Sequence, residues 1–186
     1  MTNVIIVHSQ LGNSHNHWYE WLQHNLELEG YDVQLFHLDK EDNRDIETWV
    51  NEMKRQIDIK SADTYFMTHG YGSIATLKFV EGLHLDFPIE GFFSIAGFKE
   101  DAQDIDESIR VDHITIDYDL IKQKIKRFYG LASKDDSYVS YKETQNLIDE
   151  LGGRTRIVEE GGHFLEEEGF VSFTELQEKM QKYMTK

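Results

Sequence analysis

Five consecutive residues, Thr68-His69-Gly70-Tyr71-Gly72, have the frame of a turn that presents a reactive side chain. An apolar run ends just before them (Ala62, Tyr65, Phe66, Met67), and a helical pattern begins just after (Ile74, Leu77, Lys78, Val80, Glu81). A strand, a sharp turn with small residues two positions either side of its centre, and a helix together hold a nucleophile at the rim of a sheet. The flanking residues must be small because the turn is strained and strand and helix pass close together. The chemistry needs Ser, Cys or Asp at the centre. Here the centre is Gly70, which has no side chain.

Three further segments carry reactive residue types. They are His8-Ser9, leading through Gly12 to His17-Trp18; Ser133-Lys134-Asp135-Asp136, with Val139 just beyond; and Gly161-Gly162-His163-Phe164. Acyl transfer by a side chain requires a nucleophile, a histidine base and an acid that orients the base. In hydrolases built on a parallel sheet these arrive in the chain order nucleophile, acid, histidine. Position 70, Asp136 and His163 keep that order, although Asp135 is adjacent and equally acidic. Asp136 also fits a helix N-cap before Tyr141.

The elements that must position these groups alternate regularly. Strands are predicted at Val4–Val7, Val33–Phe36, Thr64–Thr68, Ile89–Ala96, Phe128–Ala132 and Arg154–Val158. Apolar residues at helical spacing lie between them: Trp18, Trp21, Leu22, Leu26 and Leu28, ending at Gly30; then Ile46, Trp49, Val50, Met53 and Ile57. Helices are also predicted over Ser73–His84, Ile121–Ile125, Tyr141–Leu151 and Phe173–Met184. Lys99–Asp119 is acidic and loosely patterned, and reads as a loop or short lid. Strands alternating with helices predict a mostly parallel sheet of about six strands covered on both faces. The expected fold is a single α/β-hydrolase domain over residues 1–186 with a minimal lid. Ligands in such sheets bind at the carboxyl ends of the strands, where all four segments fall.

Over nearly its whole length the chain resembles the small YdeN-like serine hydrolases, the group that includes retinoblastoma-binding protein nine. His8 with His17-Trp18, the elbow, Ser133-Lys134-Asp135-Asp136 and Gly161-Gly162-His163-Phe164-Leu165-Glu166 carry the resemblance. It implies Asp136 as the acid, His163 as the base, and hydrolysis of a small ester or amide. Two departures stand out: Gly70 where the family has Ser, and Ser9 where it usually has Gly. The first removes the attacking oxygen, a loss worth about 10⁶ in turnover. It makes the chain either a disarmed enzyme or a binding protein on a hydrolase scaffold that recognises a carboxylate, an ester or a protein partner without turnover, and natural loss and deliberate substitution would leave the same sequence. The second places a hydroxyl beside the same cleft, so Ser9 is an alternative nucleophile; an activated water is another. The Tyr71 backbone amide, with that of Ser9 or Gln10, is the expected oxyanion hole. His8 is expected to shape that side of the cleft. His69 and Ser73 are expected to be structural, Ser73 through a hydroxyl bonded to backbone. Glu166-Glu167-Glu168 reads as a solvated face.

Composition narrows the function classes. A net charge of −16 over 186 residues repels nucleic acid and anionic membrane surfaces. The absence of cysteine removes disulfides, thiol catalysis and Cys-ligated metals, in keeping with a cytoplasmic setting. No signal peptide or apolar span is visible at the sequence level. His15 and His17 with His163 and Asp136 are a weak zinc pattern, and no metal or other cofactor is expected. Gly70-Tyr71-Gly72 matches no phosphate-binding loop. The expected ligand is a small ester or amide.

Overall fold

The computed structural model describes residues 1–39, 45–111 and 113–184. Six strands, β1 (Asn3–Val7), β2 (Asp32–Phe36), β3 (Thr64–His69), β4 (Ile89–Ile95), β5 (Ile125–Ser133) and β6 (Arg154–Val158), form one parallel sheet ordered β2-β1-β3-β4-β5-β6. The α-helices between and after them are α1 (Tyr19–Leu28), α2 (Ile46–Gln56), α3 (Tyr71–Glu81), α4 (Tyr118–Lys124), α5 (Tyr141–Glu150) and α6 (Thr174–Met184). This is the α/β-hydrolase architecture the alternation predicts.

The apolar run of β1 serves both faces of the sheet. Side chains alternate along a strand, so Ile5 and Val7 join a core with Trp49 and Met53 of α2, Ile74 and Leu77 of α3, and Leu147 of α5. Val4 and Ile6 join a second core with Leu22 and Leu26 of α1 and Leu176 and Met180 of α6. Each such side chain contributes roughly 1.5–3 kcal/mol when fully buried. The four β1 residues are fully buried, which is why the strand reads as continuous rather than alternating hydrophobicity.

Boundaries shift where packing overrides pattern. α3 begins at Tyr71, directly after the turn, rather than at Ser73, and it stops at Glu81 rather than His84. β5 reaches back to Ile125, three residues before Phe128, because Ile89 and Gly91 of β4 pair with Ile125 and Arg127. Leu28, placed by periodicity on the buried face of α1, is 72 % exposed. The acidic stretch is a loop, as expected, with one 3-10 turn at Glu107–Ile109 among its described residues, and it is anchored: Ala102, Ile109 and Ile116 enter the first core, and Ile105 bridges Val139. Among the described residues no helix is long and apolar enough to cross a membrane.

The chain runs from β1 outward to β2, then returns past β1 to β3. The two halves of the sheet therefore diverge between β1 and β3, and a crevice opens at the carboxyl ends of these two strands. Val7 of β1 sits beside Thr68 of β3, so the segment after β1 meets the turn after β3. Their contact leaves no room at Gly72, where a Cβ would stand 2.3 Å from the His8 carbonyl oxygen.

His8 closes the end of β1. Its ring stacks on Phe36 at 5.6 Å and tilts against Trp49 at 5.1 Å. Nδ1 donates to the Ser9 carbonyl at 2.6 Å, and Nε2 accepts from the Leu38 amide at 3.0 Å. A protonated ring would lose the Leu38 bond, and burial pushes the His8 pKa down to about 4.

Two stability predictions result. Gly72→Ala is expected to destabilise by about 1–3 kcal/mol through overpacking. Gly82→Ala, at φ −81° with the nearest neighbour 3.7 Å from a Cβ, is expected to stabilise by about 0.4–1 kcal/mol. Urea midpoints of both variants check the contrast. Unfolded His8 takes up a proton near pH 6.5, folded His8 only near pH 4, so acid favours the unfolded chain in that window. Its contribution is complete above pH 6.5 and declines as pH falls toward 4, by about 3 kcal/mol at most. The pH dependence of stability between 5 and 7 is expected to be shallower in His8→Phe than in the unmodified chain; equal slopes would contradict it.

Candidate active site

The turn between β3 and α3 is a sharp one. Gly70 has φ 53° and ψ −123°, a conformation that strains any residue with a Cβ. Its amide donates to the Ile95 carbonyl at 2.8 Å, and its carbonyl accepts from Ser73 N at 3.0 Å. Beneath it a chain of hydroxyls fixes the turn to β4. Thr68 Oγ1 donates to the Phe93 carbonyl at 2.7 Å and accepts from Ser73 Oγ at 2.8 Å, while Ser73 Oγ accepts from Ser94 Oγ at 2.7 Å. Ser73 thus bonds other hydroxyls rather than the backbone expected for it. A Cβ at position 70 would lie 3.0 Å from His163 Nε2 and 3.3 Å from Ser9 Cβ. A side chain there would point straight at the imidazole.

Asp136 Oδ2 stands 2.8 Å from His163 Nδ1, and both side chains are buried. Asp136 Oδ1 accepts from the amides of Tyr138 (2.8 Å) and Val139 (3.0 Å). With both oxygens accepting, the network assigns the proton to His163 Nδ1 and a lone pair to Nε2 in the neutral ring. The helix-capping reading of Asp136 gives way to this: Ser140 caps α5. Asp135 has a different task. Its Oδ1 accepts from the amides of Gly161 (3.0 Å) and Gly162 (2.8 Å) and from the Ser133 hydroxyl. These bonds, that of Ser133 foremost, hold its carboxyl below the usual carboxylate range.

The histidine loop is clasped by residues that the sequence did not mark. Glu168 Oε1 accepts from the His163 amide at 2.9 Å and the Leu165 amide at 3.3 Å. Glu166 accepts from the His17 amide at 2.9 Å and Asn16 Nδ2 at 3.2 Å, and the His17 bond above all lowers its pKa. The acidic run is therefore no simple solvated face. Its first member lies inside the motif that carried the resemblance, which is the one signal the sequence offered.

A second relay was equally hidden. The Ser9 amide donates to Tyr19 Oη at 3.0 Å, Tyr19 pairs with His69 Nδ1 at 2.7 Å, and His69 Nε2 donates to the His163 carbonyl at 2.7 Å. Each group has a partner only if the Tyr19 hydroxyl donates and His69 carries its proton on Nε2. The His69 ring also stacks on His163 at 5.0 Å. Burial, reinforced by the neighbouring His163, drives the His69 pKa well below its ordinary value. Burial raises that of Tyr19.

The expected oxyanion hole is narrowed by this accounting. The Ser9 amide is engaged by Tyr19, whereas the Tyr71 amide donates to the Gln10 side-chain oxygen at 3.2 Å, the kind of acceptor a ligand would offer, with the Gln10 backbone amide beside it in sequence. Tyr71 begins α3, and its N–H points from the positive end of that helix. Ser9 lies beside the apex as expected for an alternative nucleophile, but its hydroxyl accepts from the Leu11 amide at 2.9 Å and does not bond to His163, whose Nε2 has no partner. The metal pattern does not converge. His17 Nε2 donates to the Leu11 carbonyl and Nδ1 accepts from the Glu166 amide, while His15 pairs with Glu20. No three His, Asp or Glu side chains gather in ligand geometry among the described residues.

An open cleft of about 570 Å³ lies outside the buried pair, lined by Leu11, Gly12, His17, Ser137, Tyr138 and Leu165. The Tyr138 ring on its wall lies 5.4 Å from that of His163.

The family model for serine hydrolases matches residues 4–182. YdeN of Bacillus subtilis (strain 168), a protein named as a hydrolase, is 27 % identical over 183 residues, covering 98 % of this chain and 96 % of the relative. The crystal structure of the B. subtilis ydeN product superposes with a TM-score of 0.89 at 27 % identity, over the whole of both chains. A YdeN-like hydrolase from Pectobacterium atrosepticum has a TM-score of 0.73 at 15 % identity, covering all of this chain and 91 % of the other. Est1E from Butyrivibrio proteoclasticus, solved with ferulic acid bound, has a TM-score of 0.67 at 13 % identity, covering 100 % and 90 %. These last two similarities speak to fold. With the sheet order, the elbow and a whole-length match to the family model and to YdeN, the chain belongs to the serine hydrolase family, in its YdeN-like branch.

Proposed function

We propose that this chain is a small carboxylester- or amide-hydrolase site whose covalent step is disarmed, and that its cleft binds a carbonyl or carboxylate ligand. One observation carries the reading. The acid–imidazole pair is complete and buried, its free nitrogen stands 3.0 Å from where the Cβ of residue 70 would be, and residue 70 is glycine. Ground-state binding by the Tyr71 and Gln10 amides does not need the missing side chain, so ligand recognition outlives the loss of acyl transfer.

The retained base supports a second reading, in which His163 activates a water for direct hydrolysis. Both readings assign His163 as the base and Asp136 as the group that orients it.

Hydrolysis of p-nitrophenyl acetate and labelling by a fluorophosphonate, which reacts with activated serines, test the proposal. The unmodified chain is expected to hydrolyse at the buffer rate and take no label. Gly70→Ser is expected to take label and to gain turnover by several orders of magnitude, with about 10⁶ as the ceiling. Adding His163→Ala to that variant is expected to abolish both. Because residue 70 has a positive φ, Gly70→Ser is expected to lose about 1–3 kcal/mol of stability. Robust turnover by the unmodified chain, lost in His163→Ala, would replace the disarmed reading with the water-activated one.

A further inference from the structure

The group resting on the Tyr71 amide is the side chain of Gln10: Tyr71 N donates to Gln10 Oε1 at 3.2 Å. That oxygen belongs to a carboxamide, the same type of acceptor as the carbonyl oxygen of an ester or amide. Among the described residues, four buried side-chain polar atoms have no hydrogen-bond partner, and two of them are Gln10 Nε2 and His163 Nε2. Both belong to this one enclosure. A buried, unpaired polar atom is destabilising, so this arrangement is held by packing rather than by a satisfied network.

The backbone around Gln10 is pinned on both sides. Ser9 donates its amide to Tyr19, Leu11 donates its amide to Ser9 Oγ, and the Leu11 carbonyl accepts from His17. The side chain has no such anchor beyond the one bond to Tyr71. Rotation about its own bonds takes it from the apex toward the adjacent cleft, whose wall begins at Leu11 and Gly12, without moving the strand end.

We infer that Gln10 is the specificity-determining residue of this site: its carboxamide is a built-in occupant of the oxyanion position, and a ligand enters only by offering the Tyr71 amide a better acceptor. A neutral carbonyl merely exchanges one comparable bond for another. A carboxylate, or the phosphoryl oxygen that gains negative charge in the transition state of phosphonylation, accepts more strongly at a helix N-terminus and displaces Gln10. The site therefore selects anionic or developing-anionic oxygens over neutral ones. This rests on the proposed acyl-type site, and the test separates the two.

Two substitutions move the occupant in opposite directions. Gln10→Ala removes the side chain but keeps the backbone amide. Gln10→Glu puts a carboxylate on the Tyr71 amide and tightens the block. In the Gly70→Ser background, fluorophosphonate labelling is expected to be about fivefold faster with Gln10→Ala, the equivalent of one neutral hydrogen bond, and slower with Gln10→Glu. With p-nitrophenyl acetate the Gln10→Ala gain is expected in KM rather than in kcat, a split that general loosening of the fold would not give. Benzoate titrated into the chain with Gly70 intact, read at the Tyr71 amide by NMR, is expected to bind more tightly in Gln10→Ala and more weakly in Gln10→Glu. Slower labelling and weaker benzoate binding in Gln10→Ala would overturn the inference and make Gln10 a ligand-holding residue. If Gly70→Ser takes no label with any residue at position 10, the acyl-site reading fails, and the benzoate titration still decides whether Gln10 competes for the Tyr71 amide.

Discussion

The contact between α3 and the end of β1 governs this site. At Gly72 the helix lies so close to His8 that even a methyl group does not fit. That approach is possible only because the turn at Gly70 is wound into a positive φ. The same winding throws residue 70 toward His163 and turns the Tyr71 amide toward the crevice between β1 and β3. A single steric constraint thus sets the direction in which residue 70 faces, the direction of the Tyr71 amide, and the approach of Ser9 and Gln10.

His163 answers that constraint from the other side of the crevice. Its ring is oriented by Asp136, its backbone amide is held by Glu168 and its carbonyl by His69, while Asp135 ties down the two glycines before it. These bonds are mostly charge-assisted or buried, the kinds that contribute most. They fix the imidazole with its Nε2 toward position 70 even though no side chain there uses it. The bonds that hold the loop are also the bonds that orient the imidazole, so the Asp136–His163 pair is part of the loop's own structure.

Glycine at the apex has a thermodynamic side. A residue with a Cβ in that conformation costs about 1–3 kcal/mol, so the glycine relieves a strain that acyl-transfer chemistry otherwise imposes. The helix N-terminus and its amide lose nothing by the exchange. The site is still shaped to receive an oxygen acceptor, and the Gln10 carboxamide rests in it.

The sequence by itself determined the sheet, the order of its elements and the strand ends where the chemistry collects. These come from hydrophobic period and from turn residues, which are local. Continuous burial in Val4–Val7 and the strand–turn–helix frame around Gly70 are examples; Asp136 and His163 came from motifs whose spacing fits one helix and one strand. The family resemblance points to Asp136 over the adjacent Asp135, and the fold supplies the reason it faces the imidazole, a turn made with the amides of Tyr138 and Val139. The tertiary structure alone showed that Glu166 and Glu168 clasp the histidine loop, that Tyr19 accepts from the Ser9 amide, and that the Gln10 side chain accepts from the Tyr71 amide. Each of these joins residues far apart in the chain or turns on the direction of one side chain. A hydrogen bond is fixed to within a few tenths of an ångström by the packing of the whole, and no pattern in a linear sequence carries that information.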